Sequence, residues 1–286
     1  MRLSTLKQNG LETAAIRVKD NFVLMESINH NEGKEWPVEI YDLLQQGKLE
    51  EVIDWYENGG KAKLLDYEKI PMNEVIYAPL YRRPRKIWGV GLNYIDSSEQ
   101  SLEDVPYSDP VSFMKPDTSI IGPEDNIQIP HQSKHTTAEA ELAIIIGKEC
   151  YDISEEESEG VIAGYTTAFD MTESKIHSEN HRFLTRAKSF NTFFSFGPEL
   201  ITKGAISNVS ELVIQTVLNG EKKHENTVMN MRYSPYFIVS FHSKVMTLLP
   251  GDIILTGTPG AVLIRDGDVV ESHITGFQPL INKVVG

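Results

Sequence analysis

The chain has 286 residues, 40% of them hydrophobic, one cysteine (Cys150) and a formal net charge of −14. That length suits one large domain, or one domain with a small appendage. The acidic balance argues against nucleic acid or an anionic membrane as the main partner, and a single cysteine excludes an intramolecular disulfide framework or a cysteine-rich metal site.

The first twenty residues, MRLSTLKQNGLETAAIRVKD, have no apolar stretch of the signal-peptide kind, and no later apolar run reaches membrane-spanning length. A cytoplasmic protein is expected. LETAAIRVKDNFVLM predicts two short strands around a Lys-Asp-Asn turn. VEIYDLLQQGKLEEVIDWYENGG predicts two short helices ended by Gly59 and Gly60. The proline-punctuated YAPLYRRPRK then links to a buried strand in IWGVGLNY. This divides the chain into a small N-terminal α/β domain, 1–80, and a larger domain, 81–286.

Beyond residue 80 the pattern is mostly β. SFMKP, SIIGP, NIQIP, ELAIIIG, VIAGYTTAFD, LVIQTVLNG, DIILTGTPG and VVESHITG are apolar or alternating runs bounded by Gly, Pro, Asn or Asp. Helices are expected in ISEEESEG, SPYFIVSFHSKVMTL and DMTESKIHSENHRF. Many short, evenly spaced strands predict an α+β, β-rich architecture of the sandwich, roll or barrel kind.

Chemistry concentrates in two of these runs. Glu139 and Glu141 are two residues apart, so on a strand they point to one face. Asp170 closes VIAGYTTAFD, and at the end of a neighbouring strand it supplies a third carboxylate. Three converging carboxylates need a cation, and a hard divalent ion, Mg²⁺ or Mn²⁺, suits all-oxygen ligands. Taken alone, the ExE pair reads more simply as a solvated strand face. The small flanking residues Ala138 and Ala140 and the buried continuation LAIII favour a site.

His177 and His181 are four apart, the spacing of two histidines on one helix face, but Ser178 stands where a zinc protease needs glutamate. Two solvated histidines is the simpler reading; their nearness to Asp170 keeps a catalytic role open. Lys115 in SFMKP and Lys188 in RAKSF are candidate cations for a substrate carboxylate, although most lysines are merely solvated. TGTPG, Thr256 to Gly260, is an ordinary turn or an anion cradle in which the Thr258 hydroxyl takes part. There is no Walker loop, nucleophile elbow or full dinucleotide fingerprint.

In order along the chain stand KIWGVGLNY, SFMKP, EAELAIIIG, GYTTAFD, RAKSFNTF, LNGE and MTLLPGDIILTGTPGAV. Together they resemble the fumarylacetoacetate hydrolase family, over about residues 80 to 286. The resemblance implies a mixed β-sandwich roll, a homodimer, and a Mg²⁺ or Mn²⁺ site on Glu139, Glu141 and Asp170. It places Lys188 and Thr258 at the substrate, a small anionic 2-oxo or 1,3-diketo acid, and Tyr94 and Lys115 are further candidates for substrate binding. The family's reactions are hydrolytic C–C cleavage, decarboxylation, isomerisation and dehydration. They run through an enolate that a Lewis-acidic metal stabilises.

The acid–base half departs from the family's pattern. In GLNYIDSSEQ, Ser97 and Gln100 replace the histidine and glutamate of the hydrolases, and Glu99 is one position off. Three readings follow: an enzyme whose base is Glu99, His177, His181 or bound water; a decarboxylase or tautomerase that needs less of a water-activating pair; or a non-catalytic binding relative. Hydrolase is the nominal class, with Lys188, His177 and Glu99 as catalytic candidates.

Overall fold

The computed structural model describes residues 1–95, 109–133 and 135–286, so Ser97, Glu99 and Gln100 lie outside the described residues. The N-terminal strands are β1 Arg2–Gln8, β2 Leu11–Val18, β3 Asn21–Leu24 and β4 Ile70–Pro71. Then come β5 Ile87–Gly91, β6 Val111–Lys115, β7 Ile120–Ile121 and β8 Asn126–Gln128. The long central pair is β9 Thr136–Ile146 and β10 Ile162–Glu173. Next are β11 Phe194–Phe196, β12 Leu200–Thr202, β13 Val213–Leu218 and β14 Glu221–Thr227. The chain ends with β15 Ile253–Leu255, β16 Ala261–Leu263, β17 Val269–Ile274 and β18 Leu280–Val285. The helices are α1 Met25–Glu32, α2 Ile40–Gln45, α3 Lys48–Trp55, α4 Lys61–Lys63, α5 Glu155–Val161, α6 Ser174–Glu179, α7 Leu184–Lys188 and α8 Pro235–Ser243.

These strands make two sheets. The larger, of 13 strands, runs β4-β3-β2-β1-β12-β10-β9-β15-β5-β6, with β7, β11 and β16 attached beside it. The smaller, of 5 strands, runs β14-β13-β17-β18-β8. The expected β-rich sandwich is present. A closed barrel is not: among the described residues β4 and β6 end the larger sheet without pairing to each other. The sheet is also continuous across residue 80, because β1 pairs with β12.

Period-two alternation along β9 decides which side chain goes where. Ala138, Ala140, Leu142, Ile144 and Ile146 pack with Ile214, Val270, Ile274 and Leu280 of the smaller sheet. Ala143 and Ile145 face the other way, into a core shared with Leu3, Ile16, Leu43 and Val52 of the N-terminal segment. Glu139 and Glu141 belong to this second face, at the end of the strand where the apolar cover gives way to a cavity. The same two cores also take side chains from both faces of β10.

No helix among the described residues is long and apolar enough to cross a membrane. Helix α5 begins where the sequence asks it to: the Ser154 hydroxyl accepts from the Glu157 amide, and the Glu157 carboxylate accepts from the Ser154 amide. The helix expected in DMTESKIHSENHRF is shorter than the pattern suggested. β10 runs on through Met171, Thr172 and Glu173, so Asp170 lies inside the strand rather than at its end. Helix α6 starts only at Ser174, where the Glu173 carboxylate accepts from the Ile176 amide, and it ends at Glu179. His181 therefore lies beyond the helix, not one turn along its face.

Candidate metal and substrate site

β9 and β10 pair antiparallel with Glu139 opposite Asp170 and Glu141 opposite Ala168. Side chains opposite one another in such a ladder leave the same face, and diagonal neighbours lie within reach. Glu139, Glu141 and Asp170 each offer a carboxylate oxygen, and all three oxygens lie within 4.8 Å of one another. Glu141 and Asp170 are fully buried.

A five-residue turn covers the triad. β15 pairs with β9 as far as Leu255 opposite Ala143, and β16 resumes with Ala261 opposite Glu139. Thr256–Gly260 bulges across the position between, that of Glu141. There the Gly257 amide donates to Glu141 Oε2 at 2.6 Å. Gly257 has φ +100°, and a Cβ on it would stand 2.8 Å from the Asn93 Cβ. Glycine is needed for both reasons. Asn93 in turn donates to the Thr256 and Tyr233 carbonyls, tying the GLNY segment to this turn.

Two lysines offset the three carboxylates. Lys188, last residue of α7, donates from Nζ to Asp170 Oδ2 at 2.5 Å, Thr172 Oγ1 at 2.6 Å and Glu139 Oε2 at 3.1 Å. Its ammonium also stands 4.6 Å from the centroid of the Phe113 ring. Lys115 donates to Asp170 Oδ1 at 2.5 Å and to the Met171 carbonyl at 3.2 Å. Thr172 adds a hydroxyl donor to Glu139 Oε1 at 3.0 Å.

Burial and charge pull these groups apart in basicity. Burial opposes the Lys188 ammonium, but Asp170 and Glu139 beside it hold its pKa above the ordinary lysine value. For Asp170 burial favours the neutral acid, yet Lys115 and Lys188 outweigh it and keep the carboxyl below the ordinary range. Glu141, buried and facing Asp170 and Glu139, is pushed well above it. A buried carboxylate raised by its like-charged neighbours is a group that a cation would ionise. The all-oxygen donors and their mutual repulsion fit a hard divalent ion, which Glu139, Glu141 and Asp170 would hold.

The triad forms one wall of a cavity of about 640 Å³, also lined by Tyr94, Phe113, His177, Lys188, His224 and Thr258. Most residues named from sequence thus converge. The Tyr94 hydroxyl is buried without a hydrogen-bond partner among the described residues. Burial, then the charge of Glu141, raises its pKa strongly. Thr258 keeps its hydroxyl within its own turn, donating to the Gly260 carbonyl at 3.1 Å. His177 lines the cavity, its ring 4.9 Å from that of His181. Burial, His181 and Lys188 lower its pKa. Lys115 does not line the cavity: its side chain is 0% exposed and behind Asp170. Sequence reasoning passed over Thr172, Phe113 and His224. The first two sit at positions one strand-pleat from motif residues, a signal that only the register makes usable.

Comparison with known proteins shows which family the chain belongs to. The sequence model of the fumarylacetoacetate (FAA) hydrolase C-terminal domain matches residues 86–285. The chain is 34% identical over 224 residues to the mitochondrial oxaloacetate tautomerase of Rattus norvegicus, covering 76% of this chain and 71% of that protein. It is similar to the crystal structure of a 5-carboxymethyl-2-hydroxymuconate delta-isomerase from Mycobacterium smegmatis. The TM-score is 0.77 at 28% identity, over 100% of this chain and 98% of that one. It is also similar to a maleylpyruvate hydrolase from a Sphingobium species in complex with manganese(II) and pyruvate. There the TM-score is 0.81 at 25% identity, over 100% and 99% of the two chains. The matched span contains every residue of the carboxylate–lysine cluster, and the chain belongs to the fumarylacetoacetate hydrolase family.

Proposed function

We propose that this protein is a divalent-metal-dependent enzyme that enolises a small 2-oxo acid and turns it over as a tautomerase or isomerase. One observation carries this reading: three carboxylates that share one point, with the Lys188 ammonium beside them, at the wall of a single cavity. Glu139, Glu141 and Asp170 would hold a hard ion there, and it would supply Lewis acidity to the bound acid.

The chain's own residues complete the chemistry. Lys188 brings a fixed positive charge to the place where an enolate oxygen develops. The Tyr94 hydroxyl, without a partner among the described residues, offers a hydrogen bond to a substrate oxygen, and Thr258 would do so on giving up its bond to the Gly260 carbonyl. His177 offers an imidazole for proton transfer. Lys115 is reassigned from substrate contact to positioning, since it is sealed behind Asp170. Enolisation needs no activated water, which suits a chain with Ser97 and Gln100 in place of the hydrolases' dyad. The identity with the oxaloacetate tautomerase supports the same choice. Hydrolytic C–C cleavage of an acylpyruvate is the second reading, favoured by the likeness to the maleylpyruvate hydrolase.

A side-by-side assay of oxaloacetate, acetylpyruvate and fumarylacetoacetate with Mg²⁺ and Mn²⁺ decides between them. The proposal expects enol–keto interconversion of oxaloacetate to exceed cleavage of either diketo acid. Fast acylpyruvate cleavage without oxaloacetate turnover contradicts it. Tight oxalate binding without any turnover would instead make the protein a binding relative.

A further inference from the structure

His224 lies on β14, in the smaller sheet, yet it lines the same cavity as Lys188 and the carboxylates. Its Nε2 is 3.2 Å from the Ala261 carbonyl oxygen. A carbonyl only accepts, so Nε2 carries the proton, and in the neutral ring Nδ1 keeps its lone pair. Nδ1 has no hydrogen-bond partner among the described residues.

Gly260 fixes where that nitrogen lies. A Cβ built on it would meet His224 Nδ1 at 2.4 Å and Cγ at 2.5 Å, so the ring rests on the bare glycine. Ala261, which anchors the other nitrogen, is opposite Glu139 across the β16–β9 ladder. The imidazole is thus tied by one strand to the carboxylate triad, with its tautomer set. Among the described residues His177, on the six-residue α6, makes an edge contact with His181 and no hydrogen bond that would set its tautomer. A base held in one tautomer and one orientation loses less on reaching the transition state.

We propose that His224 Nδ1 takes the proton from carbon 3 of the bound 2-oxo acid, a step that rests on the enolisation reading above. The C3–H bond breaks and its electron pair becomes the C2–C3 double bond. The keto π pair moves onto oxygen, and the proton ends on Nδ1. Return of that proton to carbon, or its passage to oxygen, completes exchange or tautomerisation with nothing oxidised or reduced. The Ala261 carbonyl holds the imidazolium through Nε2–H.

Deuterium wash-in at the methyl group of pyruvate, followed by NMR in D₂O with Mg²⁺, reads this step directly. Oxalate affinity by calorimetry is the control. Nitrogen-15 NMR of the metal-free protein reads the His224 tautomer independently of activity. The expected result is exchange by the wild type, a loss of about 100-fold or more in both His224→Gln and His224→Asn, and unchanged oxalate affinity. The tautomer should be Nε2–H. Asparagine places a hydrogen-bonding amide near Nδ1 but cannot take the proton, so rescue by His224→Asn overturns the role in favour of mere orientation. Wild-type exchange in both variants, lost oxalate binding in both, or an Nδ1–H tautomer also overturns it. A wild type that binds oxalate but exchanges nothing overturns the enolisation reading itself, and the His224 step with it.

Discussion

Glu139 and Asp170 face each other across the β9–β10 ladder, and one lysine, Lys188, donates to both, at 3.1 and 2.5 Å. Like charges opposite each other in a sheet repel. Here the repulsion is held in check by two buried ammonium groups, because Lys115 takes the second oxygen of Asp170. The cluster sets three carboxylates against two ammonium groups, and its parts are separable by mutation.

Lys188→Met removes one of those cations without removing a carboxylate. The variant should lose about 100-fold or more in turnover, since the charge facing the developing enolate is gone. It should be about 3 kcal/mol less stable without metal, because Asp170 and Glu139 lose their shared partner. Its Mg²⁺ affinity should rise, as a competing positive charge has left. Calorimetry with Mg²⁺ beside steady-state kinetics checks this; affinity that falls together with turnover would mean that Lys188 orders the ligands rather than serving the substrate.

Gly257→Ala tests the turn over Glu141. The new methyl would press on the Asn93 Cβ, and φ +100° is unfavourable for alanine. The amide that aims the Glu141 carboxylate at 2.6 Å would shift. Disturbing a group that orients a metal ligand typically costs about 10–100-fold in affinity. Mn²⁺ binding followed by electron paramagnetic resonance should show that loss while far-ultraviolet circular dichroism stays native.

What the sequence made legible follows from periodicity. Glu139 and Glu141 share a face because i and i+2 do so on any strand, and the alternation of Ala138, Ala140 and Leu142 set the opposite face. Asp170 was legible as a third carboxylate beside the two glutamates but not as a mid-strand residue. Met171 and Thr172 continue β10 only because Ala138 and Thr137 on β9 pair with them. Lys115 was legible as a cation, whereas its burial behind Asp170 depends on the β5–β6 pairing that carries it. β14 was not legible at all. Its sequence, EKKHENT, has no apolar residue and becomes a strand through its ladder with β13, so His224 could not be placed at a cavity in advance.

His242 gives a prediction in pH. Its ring is buried on α8, with Nδ1 donating to the Ile238 carbonyl and Nε2 accepting from the Ser112 hydroxyl, both at 2.8 Å. Burial lowers its pKa below the ordinary 6.5, the Ile238 carbonyl opposing in part. The folded state therefore resists a proton that the unfolded chain accepts. The stability it contributes is present above pH 6.5 and is lost as pH falls through the lowered value. Denaturant melts of wild type and His242→Gln should differ in slope below neutrality, by at most about 1.4 kcal/mol per pH unit. Parallel profiles would show that His242 titrates normally. Since Ser112 lies between the cavity residues Val111 and Phe113, the same variant should also raise KM.

The central claim is that Glu139, Glu141 and Asp170 hold one divalent ion. Asp170→Asn keeps the shape of the side chain while removing the charge, and its one amide oxygen can accept from only one of Lys115 and Lys188. Titration of Mn²⁺ into wild type and Asp170→Asn, read by calorimetry, tests it most directly. The account predicts one site per chain in the wild type and at least a hundredfold weaker binding in the variant. Equal affinity in the two proteins would contradict it.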